Sequence, residues 1–261
     1  MSPRLMWLPD VLKEAGLRVA KVDGWEDRGI EVGETFGVIC HHTGGRREGN
    51  MPSLRVLIDG REDLSGPLAQ LGLGRDGTFY VIASGRANHA GAGVWQGIMT
   101  GNTNFIGIEA ENTGNDDDLP WPPVQLEAYQ RGVAAILKRI GRGAEFCAGH
   151  REYARPLGRK DDPKFDMDVF RKGVAAILAG TAPQPQLIPL IEPAKNRPTL
   201  RRGDSGEFVT VVQSKLQVDS GGSDRFGPKT EAAVREFQRG HDLVPDGIVG
   251  PTTWLALDAI G

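Results

Sequence analysis

The sequence has little of what would assign a protein to a specialised class. Two cysteines, Cys40 and Cys147, among 261 residues are too few for a disulfide scaffold. The 31 lysines and arginines are balanced by 34 acidic residues, so no basic excess indicates nucleic acid binding. No apolar run reaches the roughly 18 residues that a membrane span needs, so we expect no membrane insertion. The hydrophobic fraction of 39% is ordinary for a soluble globular protein.

The N-terminal residues 1–25 also lack the features of a targeting sequence. Charged side chains recur every few positions there and interrupt any apolar core, so we expect no signal peptide. Synthesis in the cytoplasm follows from this expectation, whatever the place of action. The two cysteines are expected to pack inward as small apolar side chains, as free cysteines usually do.

Prolines indicate a boundary late in the chain. Residues 181–198 read TAPQPQLIPLIEPAKNRP, and their five prolines exclude a regular helix and favour an extended spacer. We therefore predict a first domain over residues 1–180, a proline-rich linker over 181–198, and a second domain over 199–261.

The first domain alternates segments of strand and helix character. Apolar runs predict strands over residues 35–40, 78–83, 104–111 and 145–149. Apolar residues at helical spacing predict a long helix over residues 123–141, and Asp168 is expected to cap a last helix. This mixture predicts an α/β fold in which helices flank a mixed central sheet.

The second domain contains a short internal repeat. FGPKT (226–230) and VGPTT (249–253) each place a proline at the first turn of a predicted helix. Asp204 and Glu207 predict a capping box for an earlier helix. We therefore predict a small all-α domain of three helices, with Trp254 in its core. So small a domain is a binding module rather than an enzyme, because it has little core.

Histidines and aspartates are grouped in a pattern that can build a metal site. His41 and His42 follow a predicted strand, His150 follows another, and Asp161 and Asp162 come shortly afterwards. Two imidazole nitrogens and one carboxylate oxygen, with a fourth position open, suit a zinc ion that activates water. Alternation along a strand lets only one of the adjacent histidines face the ion. The residues alone do not choose between the two histidines or between the two aspartates.

Three further charged residues are candidates for catalysis. Lys160 precedes the two aspartates and can stabilise an oxyanion beside the metal. Glu109 and Glu111 end an apolar strand, where burying a carboxylate is costly without a purpose or a partner. Either carboxylate can act as a general base for a bound water.

Several segments occur in the order seen in one enzyme family. They are VICHHT, GRDGTFYV, NHAG, NFIGIEAE and AGHREYARPLGRKDDP. Together they resemble zinc-dependent N-acetylmuramoyl-L-alanine amidases, in the branch that contains phage endolysins, bacterial anhydromuramyl-peptide amidases and peptidoglycan recognition proteins. This resemblance covers roughly residues 5–178. Residues 199–259 resemble the three-helix peptidoglycan-binding module that is often fused to such hydrolases.

The resemblance implies roles for individual residues. It assigns the metal site to Zn²⁺ and implies as its ligands His41, His150 and Asp162. It implies Glu109 as the catalytic carboxylate and Lys160 as the oxyanion stabiliser.

Two other histidines receive expectations of their own. His89, in NHAG, is expected to line the groove and contact substrate, with a purely structural role as the alternative. His42 can support the site from behind the ligands.

The implied reaction is hydrolysis of the amide that joins the lactyl group of N-acetylmuramic acid to L-alanine. We expect a phage endolysin, made in the host cytoplasm, that acts on the cell wall once the membrane has been breached. Its expected partner is peptidoglycan, and we expect a monomer. The alternatives are a non-catalytic peptidoglycan-binding protein, a cellular autolysin or recycling amidase, and a zinc peptidase that cuts within the stem peptide.

Overall fold

The protein consists of two compact units, Met1–Ala182 and Pro183–Gly261. Most of the predicted linker, residues 183–196, lies outside the residues that the structure describes. None of the described helices combines the length and the apolar character needed to cross a membrane. The structure, a computed structural model, describes residues 4–182, 197–241, 243 and 246–260.

The first unit is built on a mixed sheet. Its strands are β1 (Val19–Lys21), β2 (Gly37–His42), β3 (Gly60–Arg61), β4 (Leu64–Ser65), β5 (Leu71–Leu73), β6 (Phe79–Val81), β7 (Phe105–Ala110) and β8 (Cys147–Gly149). Strands β3 and β4 form a separate hairpin, and the others follow the order β1-β6-β5-β7-β2-β8. Strands β5 and β6 pair antiparallel, while the remaining neighbours in this sheet run parallel. The predicted mixed central sheet is confirmed.

Helices cover the sheet, as predicted. They are α1 (Leu8–Glu14), α2 (Leu54–Asp59), α3 (Gly101–Asn104), α4 (Pro123–Arg139), α5 (His150–Tyr153) and α6 (Met167–Leu178). The two longest, α4 and α6, pack through Tyr129 and Phe170 into the largest apolar cluster of this unit. A smaller cluster around Phe105 and Tyr153 covers the opposite face of the sheet.

Strand β2 carries both adjacent histidines, and its two faces have different surroundings. Val38 and Cys40 belong to the cluster under α4 and α6, whereas Ile39 belongs to the cluster on the opposite face. Because side chains alternate along a strand, His41 continues the face of Ile39 and His42 continues the face of Cys40. The strand extends past its predicted end at residue 40, because its pairing with β7 continues through both histidines.

The predicted cap of α6 is wrong. The carboxylate of Asp166 accepts hydrogen bonds from the backbone N–H groups of Asp168 (2.8 Å) and Val169 (3.0 Å), so Asp166 is the cap. Asp168 lies two residues further along, in the first turn of the helix, and pairs with Arg171. The helix begins earlier than expected because Met167 is buried and belongs to its apolar face.

The second unit contains α7 (Glu207–Lys215), α8 (Pro228–Gly240) and α9 (Pro251–Ala259). The capping box predicted for α7 is wrong. Gly206 precedes the helix with a φ of 120°, which favours glycine, and no side chain caps this helix in the described part of the unit. The carboxylate of Asp204 instead accepts a hydrogen bond from the backbone N–H of Arg201, at 2.8 Å, within the preceding loop.

The predicted small helical domain and the buried position of Trp254, which is 1% exposed, are both observed. The internal repeat has a structural counterpart in two buried glutamines. Nε2 of Gln213 donates to Oγ1 of Thr230 at 3.1 Å, and Nε2 of Gln238 donates to Oγ1 of Thr253 at 3.1 Å. The threonine of each repeat thus ties a proline-initiated helix to the helix that precedes it.

Candidate functional site

Three buried side chains from different elements meet at the carboxyl end of β2. His41 lies on β2, His150 begins α5 directly after β8, and Asp162 lies in the loop after α5. Nδ1 of His41 is 3.0 Å from Nδ1 of His150. Oδ2 of Asp162 is 3.1 Å from each of these nitrogens. The parallel pairing of β2 with β8 brings the two histidines to the same edge of the sheet.

A backbone carbonyl determines which nitrogen of His150 carries the proton. Nε2 of His150 lies 3.0 Å from the carbonyl oxygen of Ala90. A carbonyl oxygen can only accept, so Nε2 is the protonated nitrogen of the neutral ring. Nδ1 of His150 therefore presents a bare lone pair to the site.

The tautomer of His41 follows from a chain of two hydrogen bonds. Nε2 of His89 donates to the carbonyl oxygen of Phe105 at 3.1 Å, which leaves Nδ1 of His89 as an acceptor. That acceptor lies 3.1 Å from Nε2 of His41, so His41 donates from Nε2 and its Nδ1 is bare. Burial and then the neighbouring His150 lower the pKa of His41 to about 4, which keeps the ring neutral at pH 7.

The converging atoms fit a zinc ion. Two bare nitrogens and a carboxylate oxygen 3.0–3.1 Å apart repel one another unless a cation lies between them. Ligands about 2.0–2.1 Å from a tetrahedral zinc are about 3.3 Å apart, so the observed triangle needs little adjustment. Within the described residues, His41, His150 and Asp162 are the cluster that can hold a metal. Three protein ligands leave a fourth position open, as hydrolytic zinc sites require.

In each of the two pairs of adjacent candidate ligands, His41 with His42 and Asp161 with Asp162, the structure places only one side chain at the site. The ring of His42 lies on the opposite face of the sheet, with its centroid 6.5 Å from that of Trp121. Asp161 is exposed, and its carboxylate forms an ion pair with a lysine in the same loop. Only His41 and Asp162 point to the converging atoms.

Glu109 lies beside these atoms near the end of β7. Its Oε1 is 3.8 Å from Nδ1 of His41. Its Oε2 is buried, and no hydrogen-bond partner reaches that oxygen within the part of the chain that the structure describes. Burial, followed by the charge of Asp162, raises the pKa of Glu109 well above its ordinary value, and Lys160 opposes this rise. Such a carboxylate is suited to exchanging a proton.

Lys160 lies in the same loop as Asp162 and is half-buried. Its positive charge lowers the pKa of both His41 and Glu109, which places its ammonium group within electrostatic range of the site. A cation in this position can stabilise negative charge that develops during a reaction.

Glu111, the other carboxylate considered from the sequence, has structural contacts instead. It is fully buried, and its oxygens accept hydrogen bonds from Oγ1 of Thr43 (2.8 Å) and from Oγ and N–H of Ser53 (both 3.0 Å). These bonds tie the loop after β2 to the sheet. Although burial raises the pKa of Glu111, these hydrogen bonds oppose the rise.

His89 lies behind His41 and is 7% exposed. Both of its ring nitrogens are in hydrogen bonds within the protein, to His41 and to the carbonyl of Phe105. Contact between His89 and a substrate stays a prediction, and the observed contacts correspond to the structural alternative.

Some groups that shape the site were not predicted from the sequence. The hydroxyl of Tyr129 accepts a hydrogen bond from the backbone N–H of His41 at 2.9 Å and donates to the carbonyl of Ile108 at 2.8 Å. Helical spacing identified Tyr129 as a core residue, but spacing carries no information about its hydroxyl. Arg151 holds the loop that carries Asp162, because its backbone N–H donates to the carbonyl of Asp162 at 2.7 Å.

A family model described as N-acetylmuramoyl-L-alanine amidase matches residues 33–165, just over half of the chain. The chain belongs to this amidase family. The matched region of the chain contains His41, His150 and Asp162, and the family depends on zinc, so the predicted cofactor is confirmed. A second model, described as a peptidoglycan binding domain, matches residues 205–257. Both predicted resemblances are therefore confirmed.

Two curated relatives match shorter stretches of the chain. The "Uncharacterized protein in bpoA1 3'region" of Kitasatospora aureofaciens is 47% identical over 68 residues, which is 24% of this chain and 58% of that protein. The zinc D-Ala-D-Ala carboxypeptidase of Streptomyces albus G is 40% identical over 66 residues, which is 22% of this chain and 24% of that protein. The chain thus spans less than two thirds of the length of either relative.

Among solved structures, one similar to this chain is the N-acetylmuramyl-L-alanine amidase AmiD from E. coli. That protein was solved with anhydro-N-acetylmuramic acid-L-Ala-D-gamma-Glu-L-Lys, described as its substrate. The two chains are 18% identical with a TM-score of 0.45, over 88% of this chain and 89% of that chain.

We predict that His41→Ala and Asp162→Ala lose bound zinc, whereas the neighbouring variants His42→Ala and Asp161→Ala retain it. Only the first two remove an atom that faces the converging lone pairs. We expect their zinc affinity to fall by more than the roughly 10–100-fold that loss of an outer partner costs. Metal content per chain after dialysis, measured by mass spectrometry of the element, tests this. Retained zinc in His41→Ala together with lost zinc in His42→Ala would show that the assignment is reversed.

Proposed function

We propose that the first unit hydrolyses the amide bond between the lactyl group of N-acetylmuramic acid and L-alanine in peptidoglycan. The observation that carries this proposal is the set of facing lone pairs on His41, His150 and Asp162, with Glu109 beside them. This set lies inside the region matched by the amidase family. We assign these three residues as the zinc ligands.

Zinc at these ligands supplies Lewis acidity, which lowers the pKa of a water to about 7 and polarises a carbonyl group. Proton transfer is assigned to Glu109. Its carboxylate accepts a proton from the attacking water and returns it to the alanine nitrogen as the carbon–nitrogen bond breaks. The products are a free lactyl carboxylate and a free alanine amine. The raised pKa of Glu109 supports this assignment, because a higher pKa makes its carboxylate a stronger base for the proton of the water.

Lys160 is assigned to the oxyanion. When water adds to the amide carbonyl, the oxygen gains negative charge, and a fixed ammonium group nearby lowers the energy of that state. Lys160 and Asp162 share one loop, and Arg151 holds this loop against α5. Its effect on the pKa of Glu109 supports a position within range of the reacting atoms.

We further propose that residues 199–261 hold the protein on peptidoglycan and that residues 181–198 link them to the hydrolase in residues 1–180. The match to a peptidoglycan binding domain supports this assignment. A tethered binding module raises the effective concentration of polymer at the catalytic site. This favours action on the intact wall over action on soluble fragments, and we expect the protein to act as a monomer.

Action on the intact wall supports a lytic role, and we propose that of a phage endolysin. A cellular autolysin is the second candidate, because it also needs both a hydrolase and a wall-binding module. A recycling amidase fits less well, since it acts on released fragments that a wall-binding module does not help to reach.

Digestion of purified peptidoglycan should release peptides with a new N-terminal alanine and leave the glycan chains intact. Mass spectrometry of the digest identifies the bond that was cut. Chelation should stop the reaction and added zinc should restore it, because the ligands remain in place. New reducing sugar ends, or cuts within the stem peptide, would contradict the proposed reaction. Binding without any cleavage by the zinc-loaded protein would support the non-catalytic alternative.

Glu109→Gln should reduce kcat by about 10²–10⁴-fold while zinc content stays unchanged, because glutamine has the same size but cannot accept the proton. Glu111→Gln is the matched control. It should retain activity and lower the free energy of unfolding by about 1–3 kcal/mol, because it weakens buried hydrogen bonds. A turnover rate for Glu109→Gln equal to that of the wild type would exclude Glu109 as the proton carrier.

In a lysis experiment, the chain should leave intact cells undamaged when it is made in the cytoplasm of a peptidoglycan-bearing bacterium. After the membrane is permeabilised, the turbidity of the culture should fall quickly, because the enzyme then reaches the wall. Glu109→Gln made at the same level is the control and should not lyse the cells. Lysis without permeabilisation would contradict the endolysin role.

A further inference from the structure

Two consecutive residues, His89 and Ala90, contact both histidines of the proposed metal site. Nδ1 of His89 accepts a hydrogen bond from Nε2 of His41 at 3.1 Å. The carbonyl oxygen of Ala90 accepts one from Nε2 of His150 at 3.0 Å. The outer nitrogens of both rings are therefore held by one short segment of the loop that follows β6.

The backbone N–H groups of both residues in this segment are held by one side chain. Oδ1 of Asn102, on α3, accepts hydrogen bonds from the backbone N–H of His89 at 3.0 Å and of Ala90 at 2.7 Å. Because both bonds end on one oxygen atom, the two residues are oriented together. Displacing Asn102 would thus disturb the partners of His41 and His150 at the same time.

The ring of His89 is also fixed by strand β7. Its Nε2 donates to the carbonyl of Phe105 at 3.1 Å. Gly107, two residues later, leaves the space that the ring occupies, because a Cβ atom at this position would lie 2.5 Å from Cγ of His89. The ring then meets His41 edge-on, with centroids 5.2 Å apart and planes at 89°. The ring of His89 is therefore positioned by the backbone of β7 and by the side chain of His41.

We propose that His89 is a positioning residue that sets the tautomer and the orientation of His41, and that Asn102 holds His89 and Ala90 so that both histidines face the metal. This inference rests on the proposed assignment of His41 and His150 as zinc ligands. An outer partner that accepts the N–H of a ligating histidine fixes its ring and keeps the inner nitrogen bare, and losing it typically costs 10–100-fold in metal affinity.

The test compares two substitutions at residue 89. His89→Leu fills much of the space but has no hydrogen-bonding atom, so we expect the zinc dissociation constant to rise by about 10–100-fold. His89→Asn places an amide oxygen near the position of Nδ1, so it should recover most of the lost affinity. His42→Leu, on the opposite face of β2, is the matched control and should bind zinc like the wild type. Competition with a fluorescent zinc chelator measures all four dissociation constants.

A double-mutant cycle shows whether His89 acts through His41. In a His41→Ala background, His89→Leu should cause no further loss of zinc affinity. An equal loss in that background, or wild-type affinity in His89→Leu, would overturn the inference. A wild-type chain that binds no zinc would instead refute the proposed function, so the two failures are distinguishable.

The tautomer can also be read without any substitution at residue 89. In the metal-free wild-type protein, ¹⁵N chemical shifts of the imidazole groups should show His41 protonated at Nε2 and bare at Nδ1. Comparison with the spectrum of His41→Ala assigns the signals. Protonation of His41 at Nδ1 would overturn the inference.

Discussion

The candidate metal site of this protein depends on the parallel pairing of β2 with β7 on one side and β8 on the other. Parallel neighbours end at the same edge of a sheet, so the residues at their carboxyl ends are brought together. His41, near the end of β2, pairs with Glu109 on β7, and His150 follows β8 directly. Asp162 reaches the same edge from a loop that Arg151 holds in place. A change in the register of β2 would move His41 to the other face and remove the site.

The site also shows how a costly arrangement can be kept in a folded protein. Buried nitrogens and oxygens normally have hydrogen-bond partners, yet here three lone pairs face one another. The outer nitrogens of His41 and His150 donate to protein groups, so each ring is held in the tautomer that leaves its inner nitrogen bare. The arrangement becomes favourable when a cation occupies the space between the lone pairs, and metal binding then also contributes to stability.

The two units match different family models. One unit gathers the reactive groups at a sheet edge, while the other matches a peptidoglycan binding domain and has a small helical core around Trp254. The buried glutamines of the second unit serve the fold, because they connect its helices through the repeated threonines.

Much of the fold and the list of candidate site residues could be obtained from the residues alone. Apolar periodicity is a local property, so it located β2, β7 and α4, and family motifs named His41, His150 and Asp162. Local patterns could not separate Glu109 from Glu111, because both end one apolar strand. Contacts between residues far apart in the chain separate them: Ser53 and Thr43 bind Glu111, whereas Oε1 of Glu109 lies 3.8 Å from Nδ1 of His41. For the same reason the sequence did not reveal the hydrogen bonds of His41 to His89 and of His150 to the carbonyl of Ala90, since a hydrogen bond between distant segments exists only once the chain has folded.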